Sequence, residues 1–344
     1  MKTEMQDVLQ KNILRFWLDK MVDQEHGGFY GRIDGHEHLH ADAEKGAILN
    51  ARILWAFSAA YRVLGDKTYL EAASRAKNYI IDYFIDPEYG GVYWSLDCNG
   101  KPLDTKKQFY AIGFAIYGMS EYARATGDAE ALKVAIDLYR CIEEHALDHE
   151  YNGYIEAMTR DWQPIADMRL SELDANYPKS QNTHLHIIEP YTNLYRVWKS
   201  DELKASLHNL IDIFTDRILN PETHHLDLFF DMDWKRGAGA LESYGHDIEC
   251  SWLIHEAALV LGDAEVLKKV EPIVEMVAKA SEKGLNADGS MVHEANLDTG
   301  YVDSDLHWWV QAEAVVGFFN IYQYFGDESA LQKAQHCWTY IKEN

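Results

Sequence analysis

Apolar residues recur at helical spacing along most of the chain, and short turn-rich segments separate these runs. Apolar positions at i, i+3, i+4 and i+7 are typical of helices that bury one face. The pattern predicts eleven helices, near 2–22, 44–64, 67–85, 106–126, 128–146, 180–198, 201–218, 240–261, 263–281, 303–325 and 327–343. We therefore predict an all-α protein.

One kind of turn between helices recurs along the chain. A helix end followed by Gly-Asp and a new helix occurs at 61–73, 122–135, 259–270 and 322–334, and 195–207 is a degenerate copy without the glycine. The marker residues, 62 to 72 positions apart, are Gly65, Gly127, Lys199, Gly262 and Gly326. A regular period of this size indicates a repeat architecture. We expect each glycine to adopt a left-handed conformation and each following Asp or Ser to cap the next helix.

A longer loop alternates with this turn. The segments are DQEHGGFYG (23–31), DPEYGGVYW (86–94), DHEYNGYIE (148–156) and NPETHHLDL (220–228), and their turn residues followed by β-like alternation predict short hairpins. Helices entered from these loops are richer in aromatic and small residues than helices entered from the Gly-Asp turn. We therefore place the former inside and the latter outside, in an (α/α)6 toroid whose ligand pocket lies at the mouth with the hairpin loops.

Eleven helices are one fewer than six pairs require. At about 63 residues per pair, 344 residues correspond to five and a half units, and the missing half is the last inner helix with its hairpin loop. We expect a single (α/α)6-barrel domain over residues 1–344 that is incomplete at its C-terminal end. The inner faces of 44–64 and 303–325 should then expose apolar surface, which a homodimer would cover.

Composition narrows the range of partners. A content of 47% hydrophobic residues is enough for a large core, and the formal net charge of −24 argues against nucleic acid and anionic membranes. The chain opens without a signal-peptide pattern and contains no apolar run of about 18 residues, which predicts a cytoplasmic protein. The four cysteines lack disulfide or metal-ligand spacing, so we expect them to be reduced and structural.

The segment SYGHDIEC (243–250) places two proton-transfer groups in an apolar helix. His246 and Glu249 are three residues apart and share a helix face, so we expect the carboxylate to bind the imidazole and fix its tautomer. His246 and Glu249 would then be able to act as a general acid and base. The alternative is a hydrogen-bonded core pair without a catalytic role.

Other predicted inner helices carry polar residues at comparable places. Arg52 is the only charge in the apolar stretch 46–61, where it either binds a sugar oxygen or has a structural role. Tyr110 lies in an aromatic cluster and belongs either to the pocket or to the core. Asn182 and His186 are four residues apart and share a face.

The last predicted inner helix begins with the tandem Trp308 and Trp309. Aromatic rings of this size either fill a core or stack on the apolar face of a sugar. We expect one of the two to be core and the other to contact a sugar.

Two further clusters are weaker candidates. The segment GHEHLH (35–40) would place three imidazoles on one strand face, as in a zinc site, but it lies in an irregular loop, and we predict no metal. The acidic hairpin loops offer carboxylates for glycoside hydrolysis. Their recurrence with turn residues in most repeats favours a structural role.

Together these motifs resemble the N-acylglucosamine 2-epimerase superfamily over the whole chain, and within it the bacterial cellobiose 2-epimerases. The motifs are NARILWAFSAAYR, QFY followed by IYGMSEYARATGD, NTHLHIIEPYTNLYR, SYGHDIECSW and WWVQAEAVVGFF. The resemblance implies the (α/α)6 barrel and a sugar pocket lined by Arg52, Tyr110, Asn182, His186, His246, Glu249 and one Trp of the pair Trp308 and Trp309. In that family the last inner helix carries a Trp-Lys-Cys-Pro-Tyr-His-Asn type motif with a second catalytic histidine, and this sequence has no match to it.

The resemblance implies cofactor-free inversion of C2 in a reducing-end aldose, either a cellobiose- or lactose-type disaccharide or mannose/glucose. The sugar ring opens, one imidazole removes the C2 proton to give an enediolate, and a second returns a proton to the opposite face. His246 would be the first base and Glu249 would orient it. Arg52 and His186 would stabilise charge on the enediolate oxygens. Without the second histidine we expect C2 proton exchange without conversion of one epimer into the other.

Three alternatives remain open from the sequence. An aldose–ketose isomerase on the same fold would return the proton to C1 instead of C2. An (α/α)6 glycoside hydrolase would need two carboxylates about 5–10 Å apart and would not need His246. A sugar-binding or interaction protein would need no catalysis. The sequence also leaves open which sugar is bound, N-acetylglucosamine included.

Overall fold

Helices dominate the computed structural model, which describes residues 1–172, 174–237 and 239–344. The helices are α1 (Lys2–Val8), α2 (Leu14–Lys20), α3 (Ala47–Leu64), α4 (Lys67–Tyr79), α5 (Phe109–Thr126), α6 (Ala129–His145), α7 (Gln181–Val197), α8 (Asp201–Ile213), α9 (Tyr244–Leu261), α10 (Ala264–Ser281), α11 (Trp308–Phe325) and α12 (Glu328–Glu343). A π-helical turn, Leu9–Ile13, joins α1 to α2. The described residues therefore form the eleven helical rods predicted from the sequence.

Short strands precede the helices that follow the long loops. They are β1 (Lys45–Gly46), β2 (Ser95–Leu96), β3 (Pro102–Asp104), β4 (Lys107–Gln108), β5 (Ala157–Met158), β6 (Lys179–Ser180), β7 (Phe229–Phe230), β8 (Leu241–Ser243), β9 (Glu294–Asn296) and β10 (Tyr301–Val302). Antiparallel pairing gives the sheets β1-β2-β3, β8-β9-β10, β4-β5 and β6-β7. The strands β1, β4, β6 and β8 occupy the residues directly before α3, α5, α7 and α9. These four helices therefore begin later than predicted.

The chain divides into two compact units. One contains residues 2–176 and 193–199, and the other contains 177–192 and 200–344 together with Met1. In the first unit, α3 packs against α4 and α5, and α5 packs against α6. In the second unit, α9 packs against α8, α10 and α11, and α11 packs against α12. None of the helices in the described part of the chain is long and apolar enough to cross a bilayer.

Burial separates two kinds of helix, as their composition predicted. Most residues of α5 and α9 are buried, on all sides of the helix. In α6 the buried residues, Ala131, Ala135, Leu138, Tyr139 and Ile142, form one stripe, which is typical of a helix with one face in solvent.

The Gly-Asp turns adopt the predicted conformation. The φ angles are 76° at Gly65, 76° at Gly127, 70° at Gly262 and 75° at Gly326, and each glycine N–H donates to a carbonyl of the preceding helix. The following residues, Asp66, Asp128, Asp263 and Asp327, each accept a hydrogen bond from the first turn of the next helix.

The degenerate copy of this turn differs. Lys199 does not adopt a positive φ angle, and the Ser200 side chain makes no capping hydrogen bond to α8. The prediction of a side-chain cap is therefore wrong for Ser200. A non-glycine residue is strained at positive φ, so the chain takes another path here.

The acidic hairpin loops are structural turns. In each loop the side-chain oxygen of the first residue accepts two backbone N–H groups two and three residues further on, and these first residues are Asp23, Asp86, Asp148 and Asn220. Two buried lysines that sequence analysis missed complete this motif. Lys45 Nζ lies 2.7 Å from Asp23 Oδ2, and Lys107 Nζ lies 2.9 Å from Asp86 Oδ2. These carboxylates hold the loops and are not available as a glycosidase pair.

Exposed apolar surface follows one face of α11, as predicted for 303–325. Trp308 is 77% exposed, Val316 44% and Phe319 37%, and their spacing places them on one side of the helix. On α3 the exposed residues are Arg52, Arg62 and Val63, so apolar exposure is smaller there than predicted.

Candidate active site

The site is built around the first turn of α9, in the unit that contains residues 200–344. Strand β8 ends at Ser243, which is also the residue that precedes the first turn of α9. Ser243 makes no capping hydrogen bond, and its Oγ lies instead 2.7 Å from Nδ1 of His246. The serine therefore holds the imidazole and leaves Nε2 to face other groups.

This contact corrects the sequence prediction about Glu249. The sequence spacing predicts that Glu249 binds His246, but Glu249 Oε1 lies 3.7 Å from Nε2 of His186. Helical spacing places two side chains on one face without fixing which neighbour each of them meets. The partner is decided by α7, which supplies His186.

His186 lies between two carboxylates. Its Nδ1 is 3.1 Å from Glu189 Oε2, and its Nε2 faces Glu249. All three side chains are nearly buried, with exposed fractions of 6% for His186, 11% for Glu189 and 8% for Glu249. Each ring nitrogen of His186 therefore faces a carboxylate oxygen in a poorly hydrated site.

The environment of His246 favours the neutral imidazole. Burial lowers the pKa of His246 to about 3, and the neighbouring imidazoles of His293 and His186 lower it further. A neutral imidazole keeps a lone pair on one ring nitrogen. A neutral His246 and a carboxylate-flanked His186 thus belong to one cluster.

His184 has no part in this cluster, as its position on α7 predicted. It is fully buried, its Nδ1 lies 2.6 Å from the Ser180 carbonyl oxygen, and its ring packs against Trp234. Burial lowers the pKa of His184 to about 4, so this histidine is a neutral core residue.

The structure places the two consecutive tryptophans in different environments. The ring of Trp309 lies 4.9 Å from the ring of His246, whereas Trp308 is largely exposed. Gly245 permits this approach of α9 to α11, because a Cβ there would lie 2.9 Å from Trp309 Cη2 and 2.8 Å from Val310 Cγ2. Trp309 is therefore the member of the pair that borders the site.

One pair of site residues was not selected from the sequence. The indole Nε1 of Trp252 donates a hydrogen bond of 2.7 Å to Glu313 Oε2. Trp252 lies three residues after Glu249, and Glu313 lies four residues after Trp309, so both continue the faces that carry the site. This helical spacing is the signal that could have found them.

Asn182 lies at the start of α7 in the same unit. Its Oδ1 is buried and has no hydrogen-bond partner among the described residues. A buried acceptor without a partner is costly, and a ligand hydroxyl would satisfy it.

The other compact unit contains Arg52 and Tyr110. The guanidinium carbon of Arg52 lies 4.2 Å from the centre of the Phe114 ring, and the Tyr110 and Phe114 rings are 5.0 Å apart. Arg52 is exposed, so it is not a buried structural charge. The planar cation rests on an aromatic face.

Metal-ligand geometry occurs close to His246. Within 1–172, 174–237 and 239–344, the group with converging donors is His293, Asp303 and His307. In the GHEHLH segment, His38 and His40 pair with the preceding Asp34, at 3.4 and 3.3 Å, without forming such a group.

Comparisons with known proteins find relatives over nearly the whole chain. A model of the family N-acylglucosamine 2-epimerase (GlcNAc 2-epimerase) matches residues 28–344. A cellobiose 2-epimerase of Bacteroides fragilis is 60% identical over 344 residues, which are 100% of this chain and 88% of the relative. One from Ruminococcus albus is 42% identical over 343 residues, covering 100% of this chain and 87% of the relative.

Solved structures give the fold. The cellobiose 2-epimerase from Bacillus thermoamylovorans matches with a TM-score of 0.95 and 41% identity, over 100% of this chain and 88% of that chain. A D-mannose isomerase matches with a TM-score of 0.84 and 20% identity, over 99% and 85% of the two chains, and shows the fold alone. The predicted all-α class and (α/α)6 fold are confirmed.

Proposed function

Because this chain belongs to the N-acylglucosamine 2-epimerase family and is a sugar 2-epimerase, we propose that it inverts C2 at the reducing end of a disaccharide such as cellobiose or lactose. The observation that carries the mechanism is the pairing of a neutral, serine-held His246 with a carboxylate-flanked His186. The first suits proton removal, and the second suits stabilisation of an oxyanion.

Proton removal is assigned to His246. After ring opening the sugar has an aldehyde at C1, which acidifies the proton on C2. Nε2 of His246 accepts that proton, the C2–H bond electrons form the C1–C2 double bond, and the carbonyl electrons move to the C1 oxygen. Ser243 supports this step because an Nδ1–H that donates to its hydroxyl leaves the lone pair on Nε2.

Stabilisation of the negative charge on the C1 oxygen is assigned to His186. His186, held between Glu189 and Glu249, donates an N–H to the developing oxyanion in a site with little solvent, where such a hydrogen bond is strong. Removing one preorganised donor from an enzyme site typically costs about 10²–10³ in turnover.

Sugar binding in the unit of the proton-transfer pair is assigned to Asn182 and Trp309. Asn182 supplies a buried acceptor, and Trp309 supplies an aromatic face beside His246. Arg52 and Tyr110 are assigned to sugar oxygens by the motif resemblance, supported by the exposed guanidinium of Arg52. Return of the proton to the opposite face of C2 needs a second base, so the test follows the removal step alone.

The test is hydrogen–deuterium exchange at C2 by NMR, with the protein in D₂O and cellobiose, lactose, mannose or N-acetylglucosamine as substrate. We expect loss of the C2 proton signal with a disaccharide, and loss of that exchange in His246→Asn with an unchanged circular dichroism spectrum. Deuterium at C1 of a ketose product would instead indicate an aldose–ketose isomerase. Exchange at an unchanged rate in His246→Asn would refute the assignment.

A further inference from the structure

Three side chains beside the candidate site converge on one point. His293 Nδ1 lies 3.4 Å from Asp303 Oδ2, His307 Nε2 lies 3.1 Å from the same oxygen, and the three donor atoms lie within 4.8 Å of one another. Zinc binds nitrogen and oxygen ligands at about 2.0–2.2 Å in tetrahedral geometry, which separates neighbouring ligand atoms by about 3.3 Å. The two histidine–aspartate distances therefore already match the spacing of zinc ligands.

Backbone contacts hold the central carboxylate in place. The Asp303 N–H donates to the Glu294 carbonyl oxygen at 3.0 Å, and Asp303 Oδ1 accepts the N–H of Asp305 at 3.0 Å. Oδ2 is left to face the two imidazoles. His307 directly precedes the first turn of α11, and Asp303 directly follows strand β10. Two of the three ligands are therefore held next to regular secondary structure. A preorganised donor set of this kind reduces the ordering that metal binding requires.

We propose that His293, Asp303 and His307 bind a zinc ion or another first-row divalent cation. Two imidazoles and one carboxylate are a ligand set that leaves a fourth position open, as in catalytic rather than purely structural zinc sites. The exposed fraction of the His307 side chain is 39%, so this open position faces solvent. The site is distinct from the proton-transfer pair, although the His293 ring lies 5.8 Å from His246 and 5.2 Å from Trp309.

The competing interpretation is an aspartate that bridges two histidines by hydrogen bonds alone. Asp34 forms such a bridge with His38 and His40, at nearly the same distances. There each histidine meets the carboxylate, but the three donor atoms do not form one converging group, and the His38 side chain is 77% exposed. Asp34→Asn is therefore a matched control, because it removes the same chemistry without removing a converging donor set.

The experiment is calorimetric titration of chelator-treated protein with zinc chloride, together with the visible spectrum of the cobalt-loaded protein. We expect one site, weakened at least 100-fold in Asp303→Asn and in His307→Gln and unchanged in Asp34→Asn. A crystal soaked in zinc chloride should show an anomalous peak within bonding distance of all three ligands. Circular dichroism checks folding, and the partly exposed His307 provides a second variant if Asp303→Asn does not fold. Wild-type protein without zinc affinity, or equal affinity in wild type and both ligand variants, would overturn the proposal.

Discussion

The hydroxyl oxygen of Ser243 and the Nδ1 atom of His246 are 2.7 Å apart within the first turn of α9. A serine in this position usually caps the helix by accepting a backbone N–H, but this one makes no such bond. Its side chain is committed to the imidazole. The side chain therefore has a role in positioning His246 that can be removed without removing a helix cap.

We predict that Ser243→Ala slows C2 proton exchange about 10-fold while the free energy of unfolding changes by less than about 1 kcal/mol. The loss should fall on turnover more than on substrate affinity, because the sugar does not need the serine to bind. Exchange kinetics by NMR and urea unfolding measure the two effects. Ser200→Ala, at another helix start without a side-chain cap, should change neither. A large loss of stability with normal turnover would reveal a structural role instead.

The two buried neutral histidines predict how stability depends on pH. The pKa values of about 3 for His246 and about 4 for His184 lie below the value of about 6.5 expected in the unfolded chain. Between these values the unfolded chain binds protons that the folded protein does not. Their contribution to stability is therefore complete above pH 6.5 and falls as the pH drops toward 4, by about 2 kcal/mol for each histidine at pH 5.

Urea unfolding at pH 8, 6.5 and 5 measures this dependence. In His184→Asn the decline in the free energy of unfolding between pH 8 and pH 5 should be smaller than in wild type by that amount, whatever the variant's stability at pH 8. Identical slopes in wild type and His184→Asn would contradict the neutral state of His184.

Gly245 keeps α9 close to α11 and Trp309 close to His246. We predict that Gly245→Ala lowers the free energy of unfolding by about 1–3 kcal/mol, because the added Cβ meets Trp309 and Val310 below van der Waals distance. Exchange per folded molecule should fall as Trp309 moves. Gly35→Ala, where a Cβ meets nothing within 4 Å, is the control for unfolding and exchange. Wild-type stability and exchange in Gly245→Ala would show that the helices can separate freely.

Arg52→Lys should lower turnover by about 10² with a smaller effect on sugar binding. An ammonium group cannot reproduce the planar contact of the guanidinium with the Phe114 ring or its paired donors toward two oxygens. Steady-state kinetics together with isothermal titration of the sugar separate the two effects. A structural arginine would give a different result, namely reduced thermal stability with full turnover per folded molecule.

Local features of this protein were predictable from the sequence, and long-range partners were not. Gly65 and Asp66 determine a turn through their own backbone and side chain, so the pattern is sufficient to predict it. His246 was selected as a candidate because a histidine is unusual in an apolar helix. The contact of Trp252 with Glu313 spans 61 residues, and the contact of Lys45 with Asp23 depends on the pairing of a loop with a strand. The assignment of Glu249 failed for the same reason, because its neighbour comes from α7.

The four Gly-Asp turns have a consequence for backbone handedness. A Cβ added at Gly65, Gly127, Gly262 or Gly326 would meet nothing within 4 Å, so only the positive φ angle excludes an ordinary side chain. A D-amino acid prefers that half of conformational space. D-alanine introduced by chemical ligation at Gly326 should therefore stabilise the folded protein by about 0.4–1 kcal/mol, since it restricts the unfolded chain without straining the folded one. At these turns between helices, the handedness of the residue therefore determines whether it fits, and the size of a Cβ does not.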